Sequence, residues 1–369
     1  MSDRLRILHD EFGQSPWLDN LSRGDLQSGR LASFVDAGVR GLTSNPTIFA
    51  KAITGGAEYD SQFVRELSET PDVTRAMWEL IISDIGAALD LLSDTHTASD
   101  GTDGHVSVEV DPRLARDASS TVAAAHWLNG RIDRPNTMIK VPATVEGTTA
   151  IEQLIADGVS VNVTLIFSLE RYEQVIEAYL RGLERRLEKG LRLDNISSVA
   201  SFFISRVDTE IDKRLDSIGG AAPSLKGTGA VAQASLAFDL AERSHSGTRW
   251  ERLRAAGARP QRPLWASTST KNPLYPDTKY VDQLIGPGTV NTLPEQTLVA
   301  FSEHGNLRRT IDEDLALARR QWSDIQESGI DVDDVSARLE MEGLDAFVES
   351  FTHLESSLAA KARDLGMSK

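Results

Sequence analysis

The chain has 369 residues, of which 40% are hydrophobic and 25% are charged, and its formal net charge is −16. This composition is typical of a globular protein and argues against disorder, collagen and coiled coils. The acidic balance argues against a nucleic-acid partner, because such a partner requires a basic face. The sequence has 0 cysteines, which excludes disulfides, thiolate nucleophiles and cysteine-ligated metals.

The first residues, MSDRLRILHDEFGQ, contain Asp3, Asp10 and Glu11 and lack the unbroken apolar stretch of a secretory signal. No segment approaches the roughly 20 apolar residues that a membrane span requires. The sequence therefore predicts a soluble, cytoplasmic protein without a membrane partner. It does not distinguish a monomer from a homodimer.

Eight short, mostly apolar segments that end in polar residues predict eight β-strands, with amphipathic helical patterns between most of them. Their predicted bounds are 16–19, 38–45, 105–111, 137–141, 161–167, 199–206, 263–269 and 289–292. Strands that alternate with helices in this number favour a (β/α)8 TIM barrel, and a doubly wound open sheet is the competing architecture.

The segments between the strands show where helices begin and end. Ser168 is a candidate N-cap for a long helix that ends before Gly190, and Gly158 ends the helix before it. Helical patterns near 52–98 and 208–258 predict insertions, and those at 294–369 predict a C-terminal extension. Because no linker divides the chain, we expect residues 1–369 to form a single domain. The polar stretch 93–104 predicts a mobile loop.

The alternation of side chains along each strand predicts which polar groups point into the barrel. In the third strand, three valines alternate with Ser107, Glu109 and Asp111. Because the outer face of a barrel strand packs on helices, the polar set should point inward. The same alternation predicts further inward-facing residues in the other strands: Lys140, Asn162, Thr164, Asp19 with Trp17, Thr43 with Asn45, and Trp265 with Ser267 and Ser269. Polar side chains near several C-terminal strand ends indicate an active site at that end of the barrel.

Lys140 is the most informative of these residues, because its amine would lie inside the barrel. Burial disfavours the ammonium form, and a neutral amine can attack a carbonyl group and form a Schiff base. The alternative is a buried ion pair with Glu109 or Asp19, and burial alone favours neither interpretation. In Schiff-base chemistry, these two carboxylates would transfer protons and Thr164 could hold a water molecule.

Arg206, at the end of the sixth predicted strand, is a candidate phosphate ligand, because a guanidinium group binds phosphate with two parallel hydrogen bonds. Ser201, Ser267 and Lys271 could add donors. The alternative for any one arginine is that it is merely solvated. The 7 histidines include no His-x-x-x-His pair, so the sequence predicts no metal site.

Five segments of the sequence resemble the transaldolase family, in the order expected for it and each on a predicted strand. They are GLTSNPTIF at 41–49, SVEVDPR at 107–113, IKVPAT at 139–144 followed by Glu146 and Gly147, NVTLIFS at 162–168, and SFFISR at 201–206. The chain is similar to the longer, bacterial form of that family. The resemblance implies a (β/α)8 barrel and a class I aldolase of the pentose phosphate pathway.

Such an enzyme moves a dihydroxyacetone unit from sedoheptulose 7-phosphate to glyceraldehyde 3-phosphate, giving erythrose 4-phosphate and fructose 6-phosphate. The resemblance implies no cofactor, because the lysine iminium is the electron sink. Position by position, Lys140 matches the Schiff-base lysine. Asp19 matches the acceptor of the C4 hydroxyl proton. Glu109 and Thr164 match the pair that handles the catalytic water.

The resemblance also implies the residues that bind substrate. These are Asn45 and Asn162 at the hydroxyl groups and the intermediate, Ser201 and Arg206 at the phosphate, and Thr43 and Phe203 in the pocket wall. One position departs from the better-known members, because Ser269 stands where they carry a second phosphate-binding arginine. Ser267 is retained, and Lys271 follows two residues later.

Two other functions remain open from the sequence. The first is an aldolase of the fructose 6-phosphate or deoxyribose-phosphate type, which releases its product to water, although such chains tend to be shorter. The second is a catalytically silent barrel that binds sugar phosphates as a sensor or interaction module.

Overall fold

Eight parallel strands pair in sequence order, and the last pairs with the first, so that the sheet closes into a barrel. The computed structural model describes residues 3–367. The strands are β1 Gln14–Leu18, β2 Leu42–Thr43, β3 Val106–Glu109, β4 Thr137–Pro142, β5 Val161–Ile166, β6 Ser198–Phe203, β7 Arg262–Ala266 and β8 Thr289–Leu293. The prediction of a (β/α)8 TIM barrel is confirmed, and the open sheet is excluded because the first and last strands are paired.

Helices surround the barrel and fill the segments predicted to be helical additions. Within residues 3–367 they are α1 Arg4–Asp10, α2 Arg23–Gln27, α3 Arg30–Asp36, α4 Pro46–Thr54, α5 Asp60–Glu69, α6 Val73–Leu91, α7 Ser93–Ala98, α8 Ala118–Ile132, α9 Val145–Asp157, α10 Leu169–Glu188, α11 Ser205–Ile218, α12 Gly229–Ser244, α13 Gly247–Ala255, α14 Lys279–Asp282, α15 Glu295–His304, α16 Leu315–Glu327 and α17 Val332–Asp364. Short 3-10 turns occur at Pro112–Leu114 and Ala222–Leu225. None of these helices is long and apolar enough to cross a lipid bilayer.

The predicted helix ends are confirmed where a capping side chain or a glycine marks them. The hydroxyl of Ser168 accepts a hydrogen bond from the backbone N–H of Arg171 and begins α10. Gly158 takes a left-handed conformation, with φ of 97°, and ends α9. Such conformations are costly for residues with a Cβ, so glycine is the residue expected there.

Strands β6 and β7 each end three residues earlier than predicted, and both differences affect the active-site end of the barrel. Strand β6 stops at Phe203, so Arg206 lies in the first turn of α11 rather than at a strand end. Strand β7 stops at Ala266, and the next residue, Ser267, has φ of 56°. This left-handed residue breaks the alternation of the strand. The prediction that Trp265 faces inward with Ser267 was wrong. Trp265 is in register with Phe202 of β6 and packs edge-to-face on it, and Phe202 packs on Tyr172 of α10, outside the barrel.

The predicted mobile loop at 93–104 was also wrong. Its first half forms α7, and Asp103 near its end is fully buried. The Asp103 carboxylate accepts hydrogen bonds from Ser15 Oγ at 2.9 Å, Arg40 Nε at 2.7 Å and Arg262 Nη1 at 3.0 Å. Because β1 and β7 begin at this level, the network closes the N-terminal end of the barrel and leaves the opposite end for a site.

Candidate active site

A cavity of about 180 Å³ lies at the C-terminal end of the barrel. Ten of the twelve residues singled out from the sequence line it: Asp19, Thr43, Asn45, Lys140, Thr164, Ser201, Phe203, Arg206, Ser267 and Lys271. The other two, Glu109 and Asn162, flank Lys140 on the neighbouring strands, in register with it. The fold therefore brings the whole predicted set together.

Lys140 points into the barrel from β4 and is only 5% exposed. Its Nζ donates a hydrogen bond to the backbone carbonyl of Ser44 at 3.1 Å and lies 3.5 Å from Glu109 Oε2. The ring centroid of Phe347, on the C-terminal helix α17, lies 5.7 Å from the same nitrogen. The amine is thus held away from bulk solvent, at the wall of the cavity.

Glu109, next to Lys140 on β3, is buried, and neither of its carboxylate oxygens has a hydrogen-bond partner among the described residues. Burial raises the pKa of Glu109 to about 7, although the positive charge of Lys140 opposes this effect. The hydroxyl of Thr164 on β5 is buried and also lacks a hydrogen-bond partner in the described part of the chain. Buried polar groups are seldom left without partners, and the exceptions often have a catalytic role.

Asp19 follows β1 directly and contributes a carboxylate to the lining of the cavity. It accepts a hydrogen bond of 2.6 Å from Thr43 Oγ1, and Thr43 in turn contacts Thr292 Oγ1 of β8 at 2.7 Å. Burial raises the pKa of Asp19 above its ordinary value, while the charges of Lys140 and Arg206 and the hydrogen bond from Thr43 lower it. The carboxylate is therefore fixed in place and is a better proton acceptor than an exposed aspartate.

The two asparagines occupy different structural settings. Asn162 Nδ2 donates to Ser107 Oγ at 2.9 Å, and its Oδ1 accepts from Ser201 Oγ at 2.7 Å, which fixes the amide across three strands. The hydroxyl of Ser201 is used in this bond. Asn45 Oδ1 accepts the backbone N–H of Ile48 and caps α4, and this bond leaves the N–H donors of the Asn45 amide for other partners.

Two cations, Arg206 and Lys271, line the cavity. Arg206 stacks on Phe203, with 5.1 Å between the guanidinium carbon and the ring centroid. Lys271 Nζ donates to Ser269 Oγ at 2.8 Å. Burial lowers the pKa of both side chains, and the charge of Arg206 lowers that of Lys271 further. Neither cation forms an ion pair within residues 3–367, so together they favour an anion at this place.

Some residues of the site were not found from the sequence. Thr292 and the Ser44 carbonyl contact the predicted residues directly. Phe347 lies on the apolar face of a long amphipathic helix, at the spacing expected for any aromatic residue of the core. No local feature of the sequence therefore marks it as a residue of the site. One turn earlier, Gly343 packs against Leu165, and a Cβ there would lie 2.9 Å from Leu165 Cδ2. This close approach lets α17 cover the cavity.

The resemblance found in the motifs extends over almost the whole chain. Residues 16–358 match the family described as Transaldolase/Fructose-6-phosphate aldolase. The chain is 52% identical to a protein named Transaldolase from Acidothermus cellulolyticus over 361 residues, which cover 97% of this chain and 96% of the relative. It is 51% identical over 356 residues to the Transaldolase of Saccharopolyspora erythraea, covering 96% of each chain. With Transaldolase 2 of Streptomyces avermitilis it shares 48% identity over 372 residues and all of both chains. The chain therefore belongs to the transaldolase/fructose-6-phosphate aldolase family.

Proposed function

We propose that this enzyme is a transaldolase that transfers a dihydroxyacetone unit from sedoheptulose 7-phosphate to glyceraldehyde 3-phosphate through a Schiff base on Lys140. The observation that carries this proposal is the buried amine of Lys140, 3.5 Å from a carboxylate with an elevated pKa and on the wall of a cavity bordered by two cations. A nucleophile, proton-transferring groups and a phosphate site thus share one chamber.

In the first step, the neutral amine of Lys140 attacks the C2 carbonyl of the ketose and forms a carbinolamine, which loses water to give an iminium ion. Glu109 is suited to this proton transfer, because a pKa of about 7 allows it to donate and to accept near neutral pH. The buried hydroxyl of Thr164 and the two Glu109 oxygens offer hydrogen-bonding positions for the water that leaves and later returns.

In the second step, Asp19 accepts the proton of the C4 hydroxyl while the C3–C4 bond breaks and its electron pair moves into the iminium. This gives an enamine on Lys140 and releases erythrose 4-phosphate. The enamine then attacks the aldehyde carbon of glyceraldehyde 3-phosphate, and Asp19 returns the proton to the new hydroxyl group. Water hydrolyses the iminium and releases fructose 6-phosphate. The raised pKa of Asp19 and its hydrogen bond from Thr43 suit this role.

Arg206, on α11, and Lys271 would bind the substrate phosphate, and Ser267 and Ser269 line the cavity from the same loop as Lys271. The chain carries a net charge of −16, so an anionic substrate requires local cations of this kind. Ser269 stands where related proteins carry a second arginine, and Lys271 would supply the positive charge that this serine lacks. A lysine does so as a single point charge, whereas the planar guanidinium of an arginine can form two parallel hydrogen bonds to phosphate.

The iminium is the electron sink, so the proposed reaction needs no cofactor. We also propose a cytoplasmic location, without a nucleic-acid or membrane partner.

Trapping the intermediate tests this function. The protein is incubated with fructose 6-phosphate, reduced with borohydride and digested, and the peptides are weighed. The expected result is a dihydroxyacetone adduct on Lys140. Absence of the adduct would instead support a barrel that only binds sugar phosphates.

A second measurement separates transfer from simple aldol cleavage. With fructose 6-phosphate as donor, a transaldolase forms sedoheptulose 7-phosphate when erythrose 4-phosphate is present and releases little glyceraldehyde 3-phosphate when it is absent. An aldolase of the fructose 6-phosphate type would release glyceraldehyde 3-phosphate at the same rate in both cases.

A further inference from the structure

The two cations proposed to bind phosphate are carried by different parts of the fold. Arg206 is in the first turn of α11, whereas Lys271 lies on the connection between β7 and α14. Lys271 is exposed on that connection, as are Pro273, Leu274, Pro276 and Asp277, and Leu274 is 87% exposed. Within the loop, the Lys271 ammonium is bonded to the hydroxyl of Ser269, and the position of this pair relative to Arg206 depends on where the loop is anchored.

Tyr275 anchors this loop to the helix that carries Arg206. Its hydroxyl donates a hydrogen bond of 2.5 Å to Asp212 Oδ2, on α11. The other oxygen of Asp212 accepts the backbone N–H of Gly227 at 2.8 Å, so the carboxylate is held from two sides. A backbone hydrogen bond from Tyr275 to the carbonyl of Asn272, 3.1 Å long, closes the turn that directly follows Lys271.

A second buried carboxylate on the same helix strengthens the anchor. Asp208 Oδ2 accepts hydrogen bonds from Tyr280 Oη at 2.8 Å and from Lys279 Nζ at 3.3 Å. The ammonium of Lys279 also lies 3.9 Å from the ring centroid of Tyr275 and donates to the Gly227 carbonyl at 2.6 Å. Lys279 thus packs against the ring of Tyr275, while Asp212 accepts the hydrogen bond of its hydroxyl group.

We propose that Tyr275, through its hydrogen bond to Asp212, is a positioning residue for phosphate binding: it fixes Lys271 beside Arg206, so that both cations bind one phosphate group. The phosphate site itself is part of the proposed function, and this inference rests on it. Tyr275 does not line the cavity between Lys140 and Arg206, and instead lines an adjoining cavity of about 230 Å³ that also contains Lys271. Tyr275 can therefore affect the reaction only by changing the position of Lys271.

The test is Tyr275→Phe, which removes the hydroxyl group and leaves the ring against Lys279. We expect the KM for fructose 6-phosphate and the inhibition constant for inorganic phosphate to rise roughly tenfold. A tenfold change is what the loss of one hydrogen bond to a charged group typically causes. The kcat should stay within about twofold, because no reacting atom is touched. The KM for unphosphorylated fructose should not change.

A double-mutant cycle shows whether Tyr275 acts through Lys271. In the Lys271→Ala background, Tyr275→Phe should no longer weaken phosphate binding, because the group that it positions is gone. The matched control is Tyr179→Phe, which removes a buried hydroxyl bonded to the Arg259 carbonyl at 2.7 Å, away from the cavity. It should leave both constants unchanged.

The inference is overturned if Tyr275→Phe leaves the KM for fructose 6-phosphate unchanged, weakens phosphate binding equally with and without Lys271, or raises the KM for fructose by the same factor. The borohydride adduct on Lys140 distinguishes a failure of this inference from a failure of the proposed function. If the parent protein forms the adduct and the tyrosine substitution has no effect, only the positioning role is wrong. If the parent protein forms none, the proposed function is wrong.

Discussion

The Nζ of Lys140 lies 3.5 Å from Oε2 of Glu109, and each residue is 5% exposed. The sequence left a buried ion pair and a Schiff-base lysine as alternatives, but this geometry is compatible with both. With a pKa of about 7, Glu109 can be a carboxylate or a carboxylic acid near neutral pH. The carboxylate forms an ion pair with the lysine ammonium. When Glu109 instead takes up the proton from the lysine, it leaves the neutral amine that nucleophilic attack requires.

Replacing the proposed nucleophile should abolish transfer without unfolding the barrel. Lys140→Ala removes the only group proposed to form the iminium, so we expect kcat to fall by at least about a thousandfold. Circular dichroism and the midpoint of thermal unfolding check that the fold survives. The control, Lys189→Ala at the exposed C-terminal end of α10, should retain parent activity. Turnover by Lys140→Ala at the parent rate would remove this lysine from the mechanism.

Glu109 should make the protein less stable as the pH rises. Its native pKa of about 7 lies above the ordinary 4.5, so the native state binds the proton more tightly than the unfolded state does. This contribution to the free energy of unfolding is therefore complete below about pH 4.5 and lost by about pH 7. Glu109→Gln removes the titration and should gain about 1–3 kcal/mol relative to the parent between pH 5 and pH 8.

Urea unfolding at both pH values measures this difference. Glu349→Gln, on an exposed position of α17, serves as the control and should follow the parent at both. A Glu109→Gln variant that gains no stability relative to the parent on going to pH 8 would contradict the raised pKa.

Loss of the arginine at the phosphate site should affect phosphorylated substrates selectively. Arg206→Ala should raise the KM for fructose 6-phosphate by about thirtyfold or more, because a desolvated charge-assisted pair is lost. The KM for dihydroxyacetone itself should change little. Initial-rate kinetics with both substrates check this, with Arg320→Ala on the exposed face of α16 as the control. Equal effects on both substrates would argue against a phosphate ligand at this position.

The sequence predicted the inward-facing catalytic groups well, because the side chains of a strand alternate between its two faces. Lys140, Asn162 and Thr164 lie where β4 and β5 keep this alternation, and β5 departs from it directly after Thr164, at Leu165, which has φ of 60°. The alternation failed at Trp265, where the strand ends one residue later and Ser267 takes a left-handed conformation. A change of backbone conformation at a strand end leaves no mark in the pattern of polar and apolar residues.

Contacts between distant segments were the other source of error. The stretch 93–104 is polar enough to predict a mobile loop, but the partners of Asp103 are 63 and 159 residues away, at Arg40 and Arg262. Only the closed barrel brings them together. The same holds for Phe347, which reaches Lys140 because α17 returns across the end of the barrel. Local patterns report the faces of single elements and not which element covers another.

The phenylalanine from α17 should keep water away from the enamine. Phe347 is 4% exposed and its ring lies 5.7 Å from Lys140 Nζ, so Phe347→Ala would open the cavity at the reacting atoms. We expect a larger share of donor turnover to end as free dihydroxyacetone when acceptor aldehyde is scarce. Product analysis measures the ratio of release to transfer. Phe301→Ala, a buried ring outside the cavity lining, is the control for lost packing, and an equal change in both variants would contradict this role.

The buried network around Asp103, at the opposite end of the barrel, should determine stability rather than activity. Asp103 is 0% exposed, and the charges and hydrogen bonds of Arg262 and Arg40 hold its pKa well below the ordinary value, against the effect of burial. Asp103→Asn leaves Arg262 buried without its counter-charge, which typically costs about 3–5 kcal/mol of unfolding free energy.

A carboxylate with a depressed pKa contributes its stability above the ordinary pKa and loses it as the pH falls. The gap between parent and Asp103→Asn should therefore be widest near neutral pH and narrow as the pH falls below about 4. Denaturant unfolding across this range measures the gap. Asp100→Asn is the matched control, because its 99% exposed side chain pairs with Arg259 at 3.2 Å and should contribute less than about 1 kcal/mol. If the two variants lost the same stability at pH 7, the network would be no stronger than a surface ion pair. The kcat of Asp103→Asn, measured well below its unfolding temperature, should equal that of the parent, because no atom of this network reaches the cavity.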